Sequence, residues 1–310
     1  MFSLDVISKC KQLNDLSYPM FTKLYNAGVV PVQDYGAEVW GYSKHESCNT
    51  VHHRALRFFF GVHKYAPIAA MQGDINWVPP IYRRWVVIIR FWNRLINMTD
   101  NRLTKQVFLS DLNECNNNNN NDNWCSDVKR ILSIVDLSDV FENRSMCEIT
   151  KFKSECNIII FNKWHESINS KPKLRTYKLF KSDLFTEAYV KCFLNRKKRS
   201  LFAQLRFGIL PLRIETGRFS NTPINERICQ FCNYNEIEDE FHFLCKCTLY
   251  DGLRKNMIEQ VCKENTGFID YTDHDKFIFL MNNCWRVLIN LYLVPAFEKR
   301  TNRLYIENRI

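Results

Sequence analysis

Residues 227–247 read RICQFCNYNEIEDEFHFLCKC. Two residues separate Cys229 from Cys232, so one tight turn can present both thiolates to a single ion. His242 and Cys247 follow after a short spacer. A closed set of three cysteines and one histidine is typical of tetrahedral structural zinc and leaves no open coordination position for catalysis. We therefore predict one structural zinc ion at these four residues.

Two alternatives to this ligand set remain open from the spacing. Cys245 competes with Cys247 as the fourth ligand, because His-x2-Cys is also a feasible spacing. The cluster is alternatively a chance group of buried thiols without a metal. The chain has 13 cysteines, an odd number without a regular framework spacing outside this segment. This pattern favours a reducing compartment, so we expect a nuclear or cytoplasmic protein and not a secreted one.

The composition favours a mainly α-helical fold. Hydrophobic residues make up 46% of the 310 residues, whereas only 9 Gly and 9 Pro supply turns. This balance disfavours a sandwich or barrel with many strands. The clearest helical pattern is residues 80–97, and residues 196–212 form a second, basic one. We expect a helical N-terminal region and a helical C-terminal domain that carries a small Cys3His module.

Changes in composition suggest four segments. We predict a helical region over 1–105, an Asn-rich loop over 106–125, a helical connector over 126–195 and a basic, zinc-binding domain over 196–310. The loop contains a run of asparagines from Asn116 to Asn121, which cannot bury apolar area. Residues 277–297 are rather apolar, but their polar positions recur at four-residue steps. We expect a buried amphipathic helix there and no membrane partner.

The positive charge of the chain is concentrated in one block. The formal net charge is +10, and residues 171–218 contain 13 Lys/Arg against 3 Asp/Glu. A localised excess of this kind is the electrostatic footprint expected for a phosphate backbone, although a solvated helix face is the simpler alternative. The predicted contacts include the cluster Arg196, Lys197, Lys198 and Arg199, which also resembles a short nuclear-localisation signal.

Acidic residues precede the second pair of ligands. We expect the Cys-x2-Cys turn to lead into a helix with Glu238, Asp239 and Glu240 in its first turn, where carboxylates interact favourably with the helix dipole.

Several blocks resemble the C-terminal part of non-LTR (LINE-like, jockey-like) retrotransposon reverse transcriptases. They are YGAEVWG (35–41), VHHRALRFFFGV (51–62), INWVPPIYRRWVVIIRFWNRL (75–95), SLFAQLRFGILPLRIETGRF (200–219) and ERICQFCNYNEIEDEFHFLCKCTLYDGLR (226–254). In that family the first three blocks correspond to the thumb and connector after the polymerase palm. The last corresponds to a zinc-binding module. The resemblance is faint between residues 100 and 195.

The resemblance implies a set of roles. It favours Cys247 over Cys245 as the fourth zinc ligand, and it assigns Arg206, Arg213 and Arg218 to a basic block that contacts template nucleic acid. Reverse transcriptases hold two metal ions on aspartates that include an adjacent pair, and no Asp-Asp pair occurs in this chain. We therefore expect a tail without catalytic activity of its own, which holds element RNA or target DNA beside a polymerase core encoded upstream.

Two other functions remain open from the sequence. The first is a protein-interaction or structural zinc domain, whose basic face meets an acidic protein. The second is a relic fragment of the element without an independent function.

Overall fold

The computed structural model describes residues 16–117 and 123–307. Within these ranges the protein is mainly helical and contains no β-strand. An isolated antiparallel bridge joins Ile228 and Ile237. The predicted mainly α-helical class is confirmed.

The helices vary widely in length, from one turn to six. The α-helices are α1 Tyr18–Gly28, α2 Val30–Gln33, α3 Ala37–Trp40, α4 Glu46–Phe60, α5 Ile68–Ile75, α6 Pro80–Ile96, α7 Leu103–Asn117, α8 Trp124–Ile134, α9 Ser138–Glu142, α10 Ile149–Ser170, α11 Tyr177–Phe180, α12 Ala188–Lys191, α13 Arg196–Arg206, α14 Arg213–Thr216, α15 Asp251–Glu264, α16 Asp273–Asn282, α17 Trp285–Val287 and α18 Val294–Glu307. Short 3-10 helices cover Pro172–Leu174, Ile224–Glu226, Thr248–Tyr250 and Thr266–Asp270, and π-helices cover His242–Lys246 and Leu288–Leu293.

The chain divides into two compact units, each assembled from separate stretches of sequence. Among the described residues, the first unit comprises 22–55, 77–117 and 123–164, and the second comprises 16–21, 56–76 and 165–307. This division differs from the four segments that we predicted. Residues 56–76 belong with the cysteine-rich C-terminal part, because their buried groups are paired with side chains beyond residue 165.

Aromatic side chains fill the core of the first unit. Trp92 of α6 is fully buried and stacks on Phe141 of α9, with ring centroids 5.4 Å apart. Phe108 of α7 meets the same tryptophan edge-on at 5.4 Å. The indole nitrogen of Trp92 donates a hydrogen bond to the Ser145 carbonyl at 3.0 Å, so this polar group is satisfied inside the core.

The predicted Asn-rich loop over 106–125 is shorter than we expected. Helix α7 continues to Asn117, because Phe108, Leu112 and Cys115 recur at helical spacing and are buried. Asn123 then caps α8 by accepting a hydrogen bond from the Ser126 amide at 3.0 Å. The part of the asparagine run from residue 118 to 122 lies outside the described residues, and so do the first fifteen residues of the predicted region 1–105.

Helix α13 is the central element of the basic block, and it ends at Arg206, before the end of the predicted helical stretch 196–212. Gly208 has a left-handed φ of 65°, and the Ile209 amide donates to the Gln204 carbonyl at 3.0 Å. This is a Schellman motif, in which glycine adopts the left-handed conformation without steric cost. A Cβ at Gly208 would lie 2.0 Å from the Lys173 carbonyl oxygen, so only glycine fits.

A buried ionic network forms the polar centre of the second unit. Asp74 of α5 and Arg206 of α13 are both inaccessible to solvent and form a bidentate pair, with N···O distances of 2.7 and 2.9 Å. Arg206 also lies 3.2 Å from Glu187, which accepts from Lys181 at 2.6 Å. Two acids and two bases therefore balance in the interior, as buried charges require.

The apolar segment 277–297 is not the single helix that we predicted. Helix α16 ends at Asn282, and the chain bends before α17 begins at Trp285. No individual helix among the described residues has the length and hydropathy to cross a membrane. The pair Asp273–Asn282 and Trp285–Tyr305 meets these criteria only when joined, and it is bent by 90°.

Candidate metal centre

A short hairpin carries the two cysteines of the Cys-x2-Cys turn. The Cys229 amide donates to the Glu236 carbonyl at 2.9 Å, and the Glu238 amide donates to the Arg227 carbonyl at 3.0 Å. These bonds flank the bridge between Ile228 and Ile237. The return of the chain places Cys232 at the tip of the hairpin, next to Cys229.

A π-helical turn carries the other two candidate ligands. The amide of His242 donates to the Asp239 carboxylate at 2.8 Å, which caps the start of the turn. The Cys247 amide then donates to the His242 carbonyl at 2.9 Å, an i→i+5 bond. In an α-helix five residues amount to about 140° of rotation beyond a full turn, which would place the two side chains on different faces. The wider π-turn returns Cys247 to the side of His242.

The four residues form one cluster. Their ligand atoms all lie within 4.8 Å of one another. The sulfurs of Cys229 and Cys247 are 3.8 Å apart, and the Cys232 sulfur lies 3.4 Å from His242 Nε2. Cys232 is half-buried, and the other three residues are buried. This group can hold one metal ion.

Cys245, the alternative fourth ligand, does not belong to this cluster. Its sulfur lies 3.8 Å from the backbone carbonyl of Asp273 at the start of α16. The prediction of Cys247 from the family resemblance agrees with this geometry.

The thiols of the cluster differ in acidity. Cys229 is hydrogen-bonded to Cys247, and this contact together with burial raises the pKa of Cys229 to about 12. The same hydrogen bond lowers the pKa of Cys247. Because metals bind thiolates, an incoming ion must displace the Cys229 proton, which couples binding to proton release.

Glu236 fixes the orientation of the histidine. One of its carboxylate oxygens lies 3.2 Å from His242 Nδ1, and the other accepts a hydrogen bond from Lys246 at 2.9 Å. Burial opposes the charged form of His242, but hydrogen bonds to Cys229 and Glu236 outweigh it and raise the pKa of the imidazole. A carboxylate on Nδ1 directs the lone pair of Nε2 toward the cluster, an arrangement common behind metal-bound histidines.

We expect Glu236→Gln to weaken metal binding by about 10- to 100-fold, because a neutral amide holds the imidazole less firmly in the required tautomer. Competition with a chromophoric chelator measures the affinity. Glu259→Gln, on the exposed face of α15, changes the net charge equally and should leave the affinity unchanged. If Glu236→Gln binds the metal as tightly as the unchanged protein does, Glu236 does not orient His242 for metal binding.

The acidic residues before His242 do not interact with a helix dipole as we predicted. Glu238 is 1% exposed and pairs with Arg300 of α18. Glu240 is fully buried and accepts two hydrogen bonds from Arg175, at 2.6 and 2.7 Å. Burial raises the pKa of Glu240 to about 7, and Arg175 opposes that rise. Only Asp239 acts at the start of a helical turn, where it caps His242.

Two of the predicted nucleic-acid contacts are internal. Arg206 is bonded to Asp74, and Arg199 donates to the carbonyls of Phe59 and Leu16 at 2.9 and 3.2 Å. Both side chains are buried, so the prediction that they contact phosphates is wrong. Both lie on the same helical face as Phe202, since positions 199, 202 and 206 share one side of α13.

The remaining predicted contacts reach the surface to different degrees. Lys197 is exposed, and Arg196, Lys198 and Arg213 are half-buried. The Arg218 side chain is 42% exposed and lies 3.7 Å from Glu215. Bases of the block that form ion pairs include Lys173, Arg175, Lys181, Arg206 and Arg218. The block therefore offers less charge to a ligand than its composition indicates.

Two exposed aromatic residues near these bases did not emerge from the sequence. Tyr65 and Phe219 line a pocket together with Lys173, Glu215 and Arg218. The position of each next to a basic residue, in Lys64-Tyr65 and Arg218-Phe219, was the available signal. Comparison of the chain with protein-family models, curated proteins and solved structures finds no match.

Proposed function

We propose that the Cys3His cluster binds one zinc ion with a structural role. Tetrahedral Zn²⁺ with Zn–S bonds of about 2.3 Å and Zn–N bonds of about 2.0–2.1 Å separates two sulfurs by about 3.8 Å, and sulfur and nitrogen by about 3.5 Å. The corresponding separations here are 3.8 and 3.4 Å. Four protein ligands fill the tetrahedron, so no position remains for substrate or water. Zinc at this site would stabilise the hairpin and the π-turn.

We further propose that the second unit binds nucleic acid. The observation that carries this proposal is a group of basic residues beside exposed aromatic rings: Lys64 lies over Tyr65, and Lys173 and Arg218 line one pocket with Tyr65 and Phe219. We refer to Lys64, Lys173, Arg196, Lys197 and Arg218 together as the basic strip. The strip follows α13, the loop 61–65 and the pocket beside α14. Basic residues with interleaved aromatics suit a flexible polyanion that carries stackable bases.

Contacts within the second unit connect the parts of this strip. The Ser200 hydroxyl of α13 donates to the Gly61 carbonyl at 2.7 Å, which fixes the loop 61–65 against the helix. Gly61 has a φ of 68°, and this left-handed residue turns the chain after α4. Four residues later, Tyr65 reaches the pocket that Lys173 and Arg218 also line. Burial and the nearby charge of Lys173 lower the pKa of His63 in this loop, so His63 is neutral at pH 7.

The start of α13 adds a second reason to expect an anion. Arg196, Lys197 and Lys198 occupy the first turn of the helix, where there is no acidic residue. Positive side chains at the positive end of the helix dipole are unfavourable, and Asn195 already caps the helix by accepting a hydrogen bond from the Lys197 amide at 2.8 Å. A phosphate at this position would interact favourably with the lysine side chains.

Arg227 links the metal module to the strip. Its carbonyl accepts a hydrogen bond from Glu238 within the hairpin, and its guanidinium donates to the carbonyls of Thr222 and Ile214 at 2.9 and 2.7 Å. These carbonyls bracket the loop 217–222, which follows α14 and contains Arg218. Zinc that rigidifies the hairpin would therefore also fix this end of the strip.

In this role the protein would act as a tail of the kind that the resemblance indicates. We propose that it holds element RNA or target DNA beside a separately encoded polymerase core of a non-LTR retrotransposon, in the nucleus or cytoplasm, without catalysis of its own. The support for this assignment is the sequence resemblance together with the metal cluster and the basic strip.

The double variant Lys64→Glu/Lys197→Glu is expected to weaken nucleic-acid binding by about 10-fold or more at 0.15 M salt, because it removes two of about four phosphate contacts. For single strands we expect a slope of log K against log salt near −3, reduced by about half in the variant. Fluorescence anisotropy with labelled 20-nucleotide RNA and DNA over a salt series gives both quantities.

The matched control is Lys255→Glu/Lys263→Glu, which changes the net charge equally at exposed positions of α15. It should retain nearly the affinity and slope of the unchanged protein. If the unchanged protein binds neither RNA nor DNA at 50 mM salt, the nucleic-acid function is wrong. A protein partner that survives nuclease treatment in a pull-down would then favour the interaction domain.

A further inference from the structure

The pocket at the end of the basic strip contains aromatic rings and a carboxylate in addition to basic side chains, and a phosphate alone would not require them. Its volume is about 330 Å³, and it is lined by Tyr65, Lys173, Glu215, Arg218 and Phe219. The Tyr65 side chain is 57% exposed and that of Phe219 is 70% exposed. Two large rings left in water at one concave site cost free energy unless a ligand covers them. The volume lies at the lower end of the range for small-molecule sites, about 300–1,000 Å³.

Charge selects the class of ligand. Lys173 and Arg218 contribute two positive charges to the pocket and Glu215 contributes one negative charge. The Lys64 ammonium lies over the Tyr65 ring, 4.9 Å from its centroid, and adds a further positive charge at the rim. The site is therefore net positive and aromatic. A nucleotide combines an anionic phosphate with a flat ring and matches both properties.

Glu215 supplies a specific hydrogen-bond acceptor. Its side chain is 4% exposed, and its Oε1 pairs with Lys173. Oε2 is buried without a hydrogen bond, and Arg218 Nε lies 3.7 Å from it. A buried carboxylate oxygen without a donor costs free energy, which a ligand N–H group would recover. Because the Arg218 side chain is 42% exposed, it has room to move aside for such a group.

Backbone hydrogen bonds fix the position of Phe219. A Cβ at Gly217 would lie 2.8 Å from the Arg227 side chain, so this glycine permits the close approach of Arg227. The Phe219 amide donates to the Thr216 carbonyl at 3.0 Å, and the Thr222 amide donates to the Gly217 carbonyl at 2.9 Å. With the two hydrogen bonds from Arg227, this loop is held at both ends. The ring is presented by a tightly bonded turn.

We propose that this pocket binds one unpaired nucleobase of a single-stranded nucleic acid, a proposal that rests on the nucleic-acid function above. The base stacks on Tyr65 and Phe219, and its exocyclic amino group donates to Glu215 Oε2. Arg218 and Lys64 contact the adjacent phosphates. The basic strip then carries the flanking nucleotides toward the start of α13. A base in a duplex does not enter, because its ring faces and amino group are engaged by its neighbours.

The test compares 15-nucleotide oligo(dC) and oligo(dT) with a duplex of the same length by fluorescence anisotropy. The two single strands differ at the pyrimidine C4 substituent, an amino group in cytosine and a carbonyl in thymine. We expect the protein to favour oligo(dC) over oligo(dT) by about 10-fold, since a hydrogen bond to a carboxylate provides that factor. Glu215→Gln should reduce this preference to less than threefold.

The aromatic residues are tested by truncation. Tyr65→Ala and Phe219→Ala should each weaken single-strand binding by about 5- to 150-fold, and leave duplex affinity and the salt slope unchanged. Phe193→Ala is the matched control, because that ring is 67% exposed and does not line the pocket. It should bind all three ligands as the unchanged protein does. Circular dichroism of each variant confirms that the helices are retained.

The outcomes separate this proposal from the function on which it rests. If no nucleic acid binds at all, the nucleic-acid function is wrong and the pocket assignment falls with it. If single strands and duplex bind equally and the Tyr65 and Phe219 variants are unaffected, the pocket assignment alone is wrong. Equal affinity for oligo(dC) and oligo(dT) would exclude Glu215 as the base-reading residue.

Discussion

Replacing Cys229 by Ser is expected to abolish zinc binding and to unfold the module around residues 227–247. The hairpin of this module has one isolated bridge, and its other half is a π-turn, so neither element is stable by itself. In small zinc modules the free energy of metal binding, about 10 kcal/mol or more, is largely the free energy of folding. Loss of one ligand leaves three side chains without the ion that joins them.

The effect should extend beyond the module. Glu238 and Glu240 lie between Ile237 and His242, are buried, and pair with Arg300 and Arg175 respectively. If the hairpin opens, both arginines lose their partners, and α18 and the segment near residue 175 lose a fixed contact. We therefore expect the thermal midpoint to fall by about 10 °C or more, which corresponds to several kcal/mol in a unit of this size.

Elemental analysis and thermal denaturation measure the two effects. The unchanged protein should contain about one zinc per chain, and a strong chelator should lower its midpoint as the substitution does. Cys245→Ser is the matched control, since its sulfur faces the Asp273 carbonyl outside the cluster. It should keep zinc and stability. A full zinc content in Cys229→Ser, or zinc loss in Cys245→Ser, would refute the assigned ligand set.

Replacing Arg206 by Met is expected to destabilise the second unit by about 3–5 kcal/mol, because it leaves the buried Asp74 carboxylate without its cation. Arg206 donates to both Asp74 oxygens and also, at 2.9 Å, to the Met281 carbonyl. After the substitution Asp74 keeps only the hydroxyl groups of Tyr177 and Tyr189, at 2.9 and 2.6 Å. Burial and Asp74 hold the pKa values of both phenols well above their usual range, so the hydroxyls remain donors.

Urea denaturation measures the loss, and two further variants identify its cause. Arg218→Met removes an exposed arginine whose ion pair spans 3.7 Å and should cost less than about 1 kcal/mol. The double variant Asp74→Leu/Arg206→Met should recover part of the loss, because it removes both charges together. A stable Arg206→Met single variant would show that the network does not hold the second unit together. A double variant no more stable than the single one would assign the loss to packing.

The local features of the metal centre were predictable, and the non-local ones were not. The Cys-x2-Cys turn and the following histidine are properties of a short segment, and they identified Cys229, Cys232 and His242, whereas the choice of Cys247 over Cys245 came from the family resemblance. The π-turn that brings His242 and Cys247 to the same side has no recognisable pattern of its own in the sequence. Glu238 and Glu240 were misinterpreted because their partners lie 62 and 65 residues away in the chain. No spacing rule reaches that far.

The basic block shows the same limit. Leu201, Phe202 and Leu205 recur at helical spacing in α13 and lie in the core. Arg199 and Arg206 share the face of Phe202. Arg199 was nevertheless assigned to phosphates because of its charge, and Arg206 because of the family resemblance. The carboxylate that pairs with buried Arg206 belongs to Asp74, which lies 132 residues earlier in the chain. An arginine on an apolar helical face therefore predicts a distant buried carboxylate.

The pairing of Asp74 with Arg206 has a consequence for the order in which the protein forms. Residues 56–76 leave the ribosome long before α13 is synthesised, so Asp74 has no cation until more than a hundred further residues have been added. A loop of 132 residues must close before either charge is neutralised, and contacts this distant in sequence slow folding. A fragment that starts at residue 165 would contain the whole metal module and yet lack the carboxylate for Arg206. Such a fragment should aggregate, whereas the same residues supplied with segment 56–76 on a second chain should assemble with it.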